Sequence, residues 1–111
     1  MTRTLIHGAG RMARRILARS TEFDRIEILG LVSRSRPQAD PGANWYASLG
    51  ELDFSVDLLI DFTLPGGTRD AAQWCAANRV ALLSGTTGLA EADTGALKSA
   101  ALKVPVLWAP T

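Results

Sequence analysis

Three short apolar runs in this chain each stop at a glycine-rich break and give way to a segment with helical spacing. Thr4-Leu5-Ile6 leads to Gly8-Ala9-Gly10, and Asp57-Leu58-Leu59-Ile60-Asp61-Phe62 leads to Leu64-Pro65-Gly66-Gly67. Val80 to Ser84 likewise leads to Gly85-Thr86-Thr87-Gly88. Apolar runs this short read as strands covered on both faces, as in a parallel sheet. Between the first break and the next strand, Ile26 to Val32, lies a helix from Arg11 to Ser20. Its Met12, Ala13, Ile16 and Leu17 share one face, and its arginines fall mainly on the other. Further helices are expected from about Thr68 to Asn78 and from Ala90 to Leu102, with a last strand from Val104 to Trp108. Arg34 to Tyr46, with Pro37, Pro41 and Gly42, is the longest irregular stretch. Trp45-Tyr46 would add a short edge strand before a helical turn at Leu49 to Leu52. Strands alternating with helices imply βαβ units, hence an α/β fold: a doubly wound parallel sheet of five or six strands in a single domain, residues 1–111. In such sheets ligands bind beyond the carboxyl ends of the strands, and all three glycine-rich breaks fall there.

Composition narrows the function classes. With 12 Lys plus Arg against 11 Asp plus Glu, the net charge of +1 gives no electrostatic case for nucleic-acid binding. Local clusters, Arg11, Arg14, Arg15 and Arg19, then Arg34 and Arg36, suit one small anionic ligand instead. Cys75 and His7 are each the only residue of their type, which excludes a disulfide framework and zinc held by Cys and His. A metal site is not expected. The lone cysteine fits a reducing, cytoplasmic compartment. The N-terminal residues do not read as a signal peptide, and no apolar run approaches the ~18 residues of a membrane span.

Gly8-Ala9-Gly10-Arg11-Met12-Ala13 satisfies G-x-G-x-x-A between a strand and a helix, the Rossmann-type fingerprint for a dinucleotide. Gly8 would allow the tight turn, Gly10 would let a diphosphate approach the backbone, and Ala13 would let the helix pack on the sheet. The first-turn amides and the helix dipole would then hold the phosphates. An NAD enzyme usually places an acid about 20 residues further on, for the ribose 2′-hydroxyl. Here that position falls on Val32-Ser33-Arg34, and no acid follows until Asp40. Arg34 and Arg36 are available to a 2′-phosphate, with Ser33 as a hydrogen-bond partner. Charge-assisted contacts of roughly 1.5–3 kcal/mol would favour NADPH about ten- to a hundredfold, with NADH still possible.

Plainer readings apply to other polar residues. His7 reads as structural, since no acid or nucleophile is placed in sequence to work with it. Cys75, in an apolar helix face beside Ala72, Trp74 and Ala76, reads as core. Asp57 and Asp61 lie about 13 Å apart along a strand, too far for a shared acid–base site, and read as strand-end residues. Thr86 and Thr87 lack the base that a threonine nucleophile needs. The single tyrosine, Tyr46, is followed four residues on by Gly50 rather than by the lysine of a short-chain dehydrogenase. Trp108 fits either core or an interface.

Taken in order, five segments resemble a known family. They are Gly-Ala-Gly-Arg-Met (8–12), Asp-Leu-Leu-Ile-Asp-Phe-Thr-Leu-Pro-Gly-Gly-Thr (57–68), Trp74-Cys75, Ser-Gly-Thr-Thr-Gly-Leu (84–89) and Val-Pro-Val-Leu-Trp-Ala-Pro (104–110). They look like the N-terminal domain of dihydrodipicolinate reductase, also called 4-hydroxy-tetrahydrodipicolinate reductase, an enzyme of lysine and diaminopimelate biosynthesis. The resemblance implies hydride transfer from NAD(P)H to a cyclic imine dicarboxylate by a homotetramer. It assigns Gly8, Ala9, Gly10, Arg11 and Met12 to the diphosphate and Arg34, beside Ser33, to the adenosine ribose. Phe62, Thr63, Gly85, Thr86 and Thr87 would line the nicotinamide, and Thr87 would also face a substrate carboxylate.

Three departures stand out. The glycine turn is one residue shorter than the commonest family form, with His7 where its first Gly would be. Ser33 replaces the acid after the second strand, and Thr111 replaces an Asn. The family's proton-donating histidine lies in an H-H-x-x-K-x-D-x-P-S-G-T block of a C-terminal domain that also supplies the substrate lysine and tetramer contacts. One histidine cannot make a His-His pair, and the only lysines are Lys98 and Lys103, on or just after the last helix. No residue of these 111 is therefore assigned as catalytic. Cofactor binding without turnover is expected from them alone, with the reading frame continuing past Thr111. The alternatives are a stand-alone dinucleotide-binding or redox-sensing module without catalysis, and the cofactor domain of another oxidoreductase. The Gly85-Thr86-Thr87-Gly88 block argues against the latter.

Overall fold

The computed structural model describes residues 1–36 and 43–109. Pro37, Asp40, Pro41 and Gly42 of the irregular stretch, and the terminal Pro110 and Thr111, lie outside the described residues. Six strands, β1 (Thr2–His7), β2 (Ile26–Val32), β3 (Trp45–Tyr46), β4 (Leu58–Asp61), β5 (Ala81–Ser84) and β6 (Val106–Trp108), form one sheet. Their order is β3-β2-β1-β4-β5-β6, and every neighbouring pair is parallel. Trp45-Tyr46 does form the edge strand, paired with Leu31 and Val32, which makes six strands among the described residues. From β1 the chain winds outward to β3, then crosses back to β4 and winds the other way. The order thus reverses between β1 and β4, where a doubly wound sheet opens a crevice.

Register aligns the strand ends that face this crevice. His7 lies opposite Val32 on one side and Asp61 on the other, Asp61 lies opposite Ser84, and Ser84 opposite Trp108. Alternating side chains feed two cores, as the two-residue period of a strand requires. Leu5, Val32, Leu59 and Leu82 enter the larger core, whereas Ile6 and Leu31 enter the smaller one. Each fully buried Leu of this kind contributes about 2 kcal/mol.

Helix α1 (Arg11–Arg19) covers the smaller core with Ala13, Ile16 and Leu17, and Arg14, Arg15 and Arg19 are exposed. Met12, expected on the apolar face, is 37% exposed, because it sits in the first turn, where the helix leaves the strand end. Helices α2 (Pro65–Asn78) and α3 (Glu91–Ala101) cover the larger core through Ala71, Ala72, Cys75, Leu97 and Ala100. Cys75 is core, as expected. At the start of α3, Asp93 accepts a hydrogen bond from the Ala90 amide (2.9 Å) and pairs with Arg69 (3.1 Å).

Some boundaries differ from the sequence reading. α2 starts at Pro65 rather than near Thr68, so Leu64-Pro65-Gly66-Gly67 is the start of a helix as well as the end of a strand connection. Proline at the first helical position gives up an N–H that would have had no intrahelical partner, and its φ suits the helix. β4 excludes Asp57 and Phe62, β5 begins at Ala81, and β6 begins only after Pro105.

Candidate functional site

The site begins with a turn pinned between two strand ends. The Gly8 amide donates to the Val32 carbonyl (2.7 Å) and the Phe62 amide to the His7 carbonyl (3.0 Å). Gly8 takes φ +118°, where a side chain is strained, and a Cβ there would lie 2.6 Å from the Phe62 carbonyl oxygen. Gly10 then caps α1 in an extended conformation, with no side-chain cap and no acid in the first turn. The first helical amides of Arg11, Met12 and Ala13 have no intrahelical acceptors, so they and the helix dipole face outward. A Cβ on Gly10 would meet nothing within 4 Å, so the approach to these amides is open. That geometry fits an anionic group such as a diphosphate.

The turn opens into a cleft of about 880 Å³, within the ~300–1,000 Å³ usual for small-molecule sites. The first glycine segment contributes Gly8, Ala9 and Gly10 to its lining. Ser33 and Arg34 come from the end of β2, and Phe62 and Thr63 from the end of β4. The fold thus brings together seven of the twelve residues that the sequence assigned to the cofactor. Arg11 and Met12 are exposed on the first turn of α1, outside this lining. Gly85, Thr86 and Thr87 also lie outside it, on the loop after β5, behind the Phe62–Thr63 wall. Gly85 packs so closely beneath the Phe62 ring that a Cβ would collide with it, and Thr87 is exposed. Arg34 is exposed at the cleft, whereas Arg36 lies 5.6 Å over the Trp45 ring and does not line it. The Ser33 hydroxyl already donates to the Ser35 carbonyl (2.8 Å) and accepts from Trp45 Nε1 (3.0 Å).

Beneath the cleft lies a hub the sequence reading missed. Asp61 is fully buried, and its carboxylate accepts side-chain hydrogen bonds from five residues. Oδ1 takes His7 Nδ1 (3.1 Å) and Thr63 Oγ1 (2.8 Å). Oδ2 takes Thr68 Oγ1 (2.6 Å), Ser84 Oγ (2.9 Å) and Thr86 Oγ1 (3.1 Å). Burial raises the pKa of this carboxyl, but the hydrogen bonds from His7, Thr68 and Thr63 and the charge of His7 outweigh it. The group is therefore held below its ordinary 3.8. Thr86 extends the network, since its hydroxyl also accepts from the Thr63 amide (3.2 Å) and its carbonyl from Trp108 Nε1 (3.1 Å).

Two expectations are corrected here. Asp61 is not a simple strand-end residue, because neighbouring strands and the first turn of α2 aim their donors at it. His7 does have an acid beside it, because register places Asp61 directly opposite on β4. Asp57 behaves as expected and accepts from the Arg3 amide at the other end of β4 (2.8 Å).

A parallel sheet wound in two directions, with a glycine turn at its first strand end and a cleft where the strand order reverses, defines a Rossmann-type α/β domain. Among solved structures it is similar to the dipicolinate-bound dihydrodipicolinate reductase from Paenisporosarcina sp. TG-14. The TM-score is 0.75 at 19% identity, covering 92% of this chain and 42% of that one. GenD2 from gentamicin A biosynthesis, in complex with NAD, gives a TM-score of 0.80 at 19% identity over 97% of this chain and 34% of that one. At such identities the likeness concerns the fold.

Sequence relatives go further. The 4-hydroxy-tetrahydrodipicolinate reductase of Alkalilimnicola ehrlichii is 39% identical over 120 residues, which covers 96% of this chain and 44% of that protein. The enzyme of the same name from Xanthomonas campestris pv. campestris is 38% identical over 111 residues, covering 96% and 47%. The chain belongs to the family described as dihydrodipicolinate reductase, N-terminus, whose sequence model matches residues 2–111. It spans a little under half the length of these curated relatives. No helix among the described residues is long and apolar enough to cross a membrane.

Proposed function

We propose that this chain is the dinucleotide-binding domain of a cytoplasmic reductase of lysine and diaminopimelate biosynthesis, using NADPH in preference to NADH. The acceptor would be a cyclic imine dicarboxylate. The observation that carries this reading is the convergence, at the reversal of strand order, of the open Gly8–Gly10 turn, Arg34 and the Phe62–Thr63 wall around one cleft. Membership of the family supports it, as do the NAD-bound and dipicolinate-bound solved structures of the same fold.

The first-turn amides around Gly10, Arg11 and Met12 hold the diphosphate. Arg34 meets the ribose 2′-phosphate, and Ser33 in place of an acid leaves that phosphate unrepelled. Phe62 and Thr63, backed by Gly85 and Thr86, fix the plane of the nicotinamide and keep water from one face. Thr87, exposed on the neighbouring loop, meets a substrate carboxylate. Bound reduced nicotinamide supplies the hydride. Proton donation and the tetramer belong to a second domain outside residues 1–111, so these residues bind cofactor without turning substrate over.

Isothermal titration with NADPH and NADH tests this directly. Micromolar binding of NADPH is expected, with NADH about ten- to a hundredfold weaker, and Arg34→Ala should remove the difference. Equal affinities in the wild type would overturn the NADPH preference. Heat with neither dinucleotide would overturn the whole reading.

A further inference from the structure

His7 and Asp61 form a pair that the proposed function leaves unused. His7 lines the cleft beside Gly8, with its side chain 12% exposed and its Nδ1 3.1 Å from Asp61 Oδ1. An ionised carboxylate only accepts hydrogen bonds, so Nδ1 carries the hydrogen between them. Nε2 makes no hydrogen bond to the described residues, yet none of their buried side-chain nitrogens or oxygens lacks a partner. Nε2 therefore reaches accessible space, and the space that His7 lines is the cleft. A neutral ring held this way offers a lone pair at Nε2, whereas a protonated ring offers an N–H. Only the second can donate to an anion.

We propose that His7 is a further ligand contact of this cleft. A phosphate-bearing dinucleotide draws a solvent proton onto Nε2, which then donates to a phosphate oxygen while Asp61 holds the ring through Nδ1–H. The contact rests on the dinucleotide reading given above. Asp61, from β4, is the buried counter-charge to the imidazolium. Two other ionisable side chains line the cleft among the described residues: Arg34, beyond β2, opposes protonation, and Asp70, on α2, favours it. Cys75 on α2 lies close enough to Asp61 to feel its charge but stays a neutral thiol. Histidine is suited to this exchange because its ordinary ionisation falls between about pH 5 and 8.

His7 is the only histidine in the sequence, so its two ring nitrogens give unambiguous signals in a long-range proton–nitrogen spectrum of the whole chain. NADPH added at about pH 7.5 should move both signals towards the positions characteristic of an imidazolium ring. Titration calorimetry in two buffers of different ionisation heat should show proton uptake that is smaller in His7→Gln. That variant keeps an amide N–H for Asp61 but cannot become charged. The 2′-phosphate of NADPH titrates near pH 6, as phosphomonoesters do, but it does so with both proteins and drops out of the difference. NADPH affinity should fall about three- to tenfold more between pH 6 and 8 in the wild type than in His7→Gln. Bound NADPH with unmoved His7 signals, or equal proton uptake by the two proteins, would overturn the His7 contact and leave the dinucleotide reading standing. Unmoved Gly8 and Gly10 amides at saturating NADPH would overturn both.

Discussion

Replacing Asp61 by asparagine tests whether the hub holds the cleft together. The carboxylate accepts from His7, Thr63, Thr68, Ser84 and Thr86, whereas an amide oxygen has two lone pairs. At least three donors then lose their acceptor, although Thr63 can turn to the Leu64 carbonyl, 3.1 Å away. Hydrogen bonds to a charged group contribute about 1.5–3 kcal/mol each, so the gross loss is about 5–9 kcal/mol. Removing a buried charge returns several kcal/mol of desolvation. A net loss of about 3 kcal/mol remains, much of a stability that is typically about 5–15 kcal/mol.

Urea denaturation, followed by tryptophan fluorescence, would show this as a midpoint lowered by about 2 M at pH 7 with an unchanged slope. The pH dependence has a definite sign. The folded-state pKa of Asp61 lies below its ordinary 3.8, so its contribution is present above about pH 4 and is lost as pH falls through the folded value. The gap between wild type and Asp61→Asn should therefore narrow in acid. Equal midpoints at pH 7, or a gap unchanged at pH 3, would refute the hub's role.

Two further substitution and labelling outcomes follow from packing. Gly85→Ala drives a Cβ into the Phe62 ring, and overpacking of this kind costs about 1–3 kcal/mol. Calorimetry should show a melting temperature lowered by about 4–12 °C, and NADPH should bind more weakly; an unchanged melting temperature would mean that the ring yields freely. The Cys75 thiol is fully buried, and burial, with a smaller push from the Asp61 charge, raises its pKa to about 12. It should resist a thiol-reactive dye at pH 8 until denaturant is added, and rapid labelling of the folded chain would contradict its place in the core.

Much of the fold was legible because burial on both faces leaves a direct mark. Leu5-Ile6, Ile28-Leu29 and Leu31-Val32 are apolar at successive positions because adjacent residues enter opposite cores. The glycine turn was legible because it is local. The first turn of α2 was not, since Pro-Gly-Gly has the composition of a loop, and only Pro65 at the first helical position reconciles it with a helix. The Asp61 hub was hidden for a different reason. Its donors lie 54, 23 and 25 residues away at His7, Ser84 and Thr86, and no local pattern joins them. One signal did exist. An aspartate at the end of an apolar strand needs donors once buried, and Thr63, Thr68, Ser84 and Thr86 cluster at the breaks that could supply them. Met12 shows the opposite error, since helical periodicity assigned it to a face whose first turn has already left the sheet.

The most direct test follows the backbone amides of the isotope-labelled chain as NADPH is added. Gly8, Gly10, Arg34 and Thr63 should move together and saturate with one dissociation constant, while Phe23 and Asp24, just before β2 at the opposite end of the sheet, stay still. Shifts confined to Phe23 and Asp24, or no shifts at all, would contradict dinucleotide binding at the β1–β4 reversal.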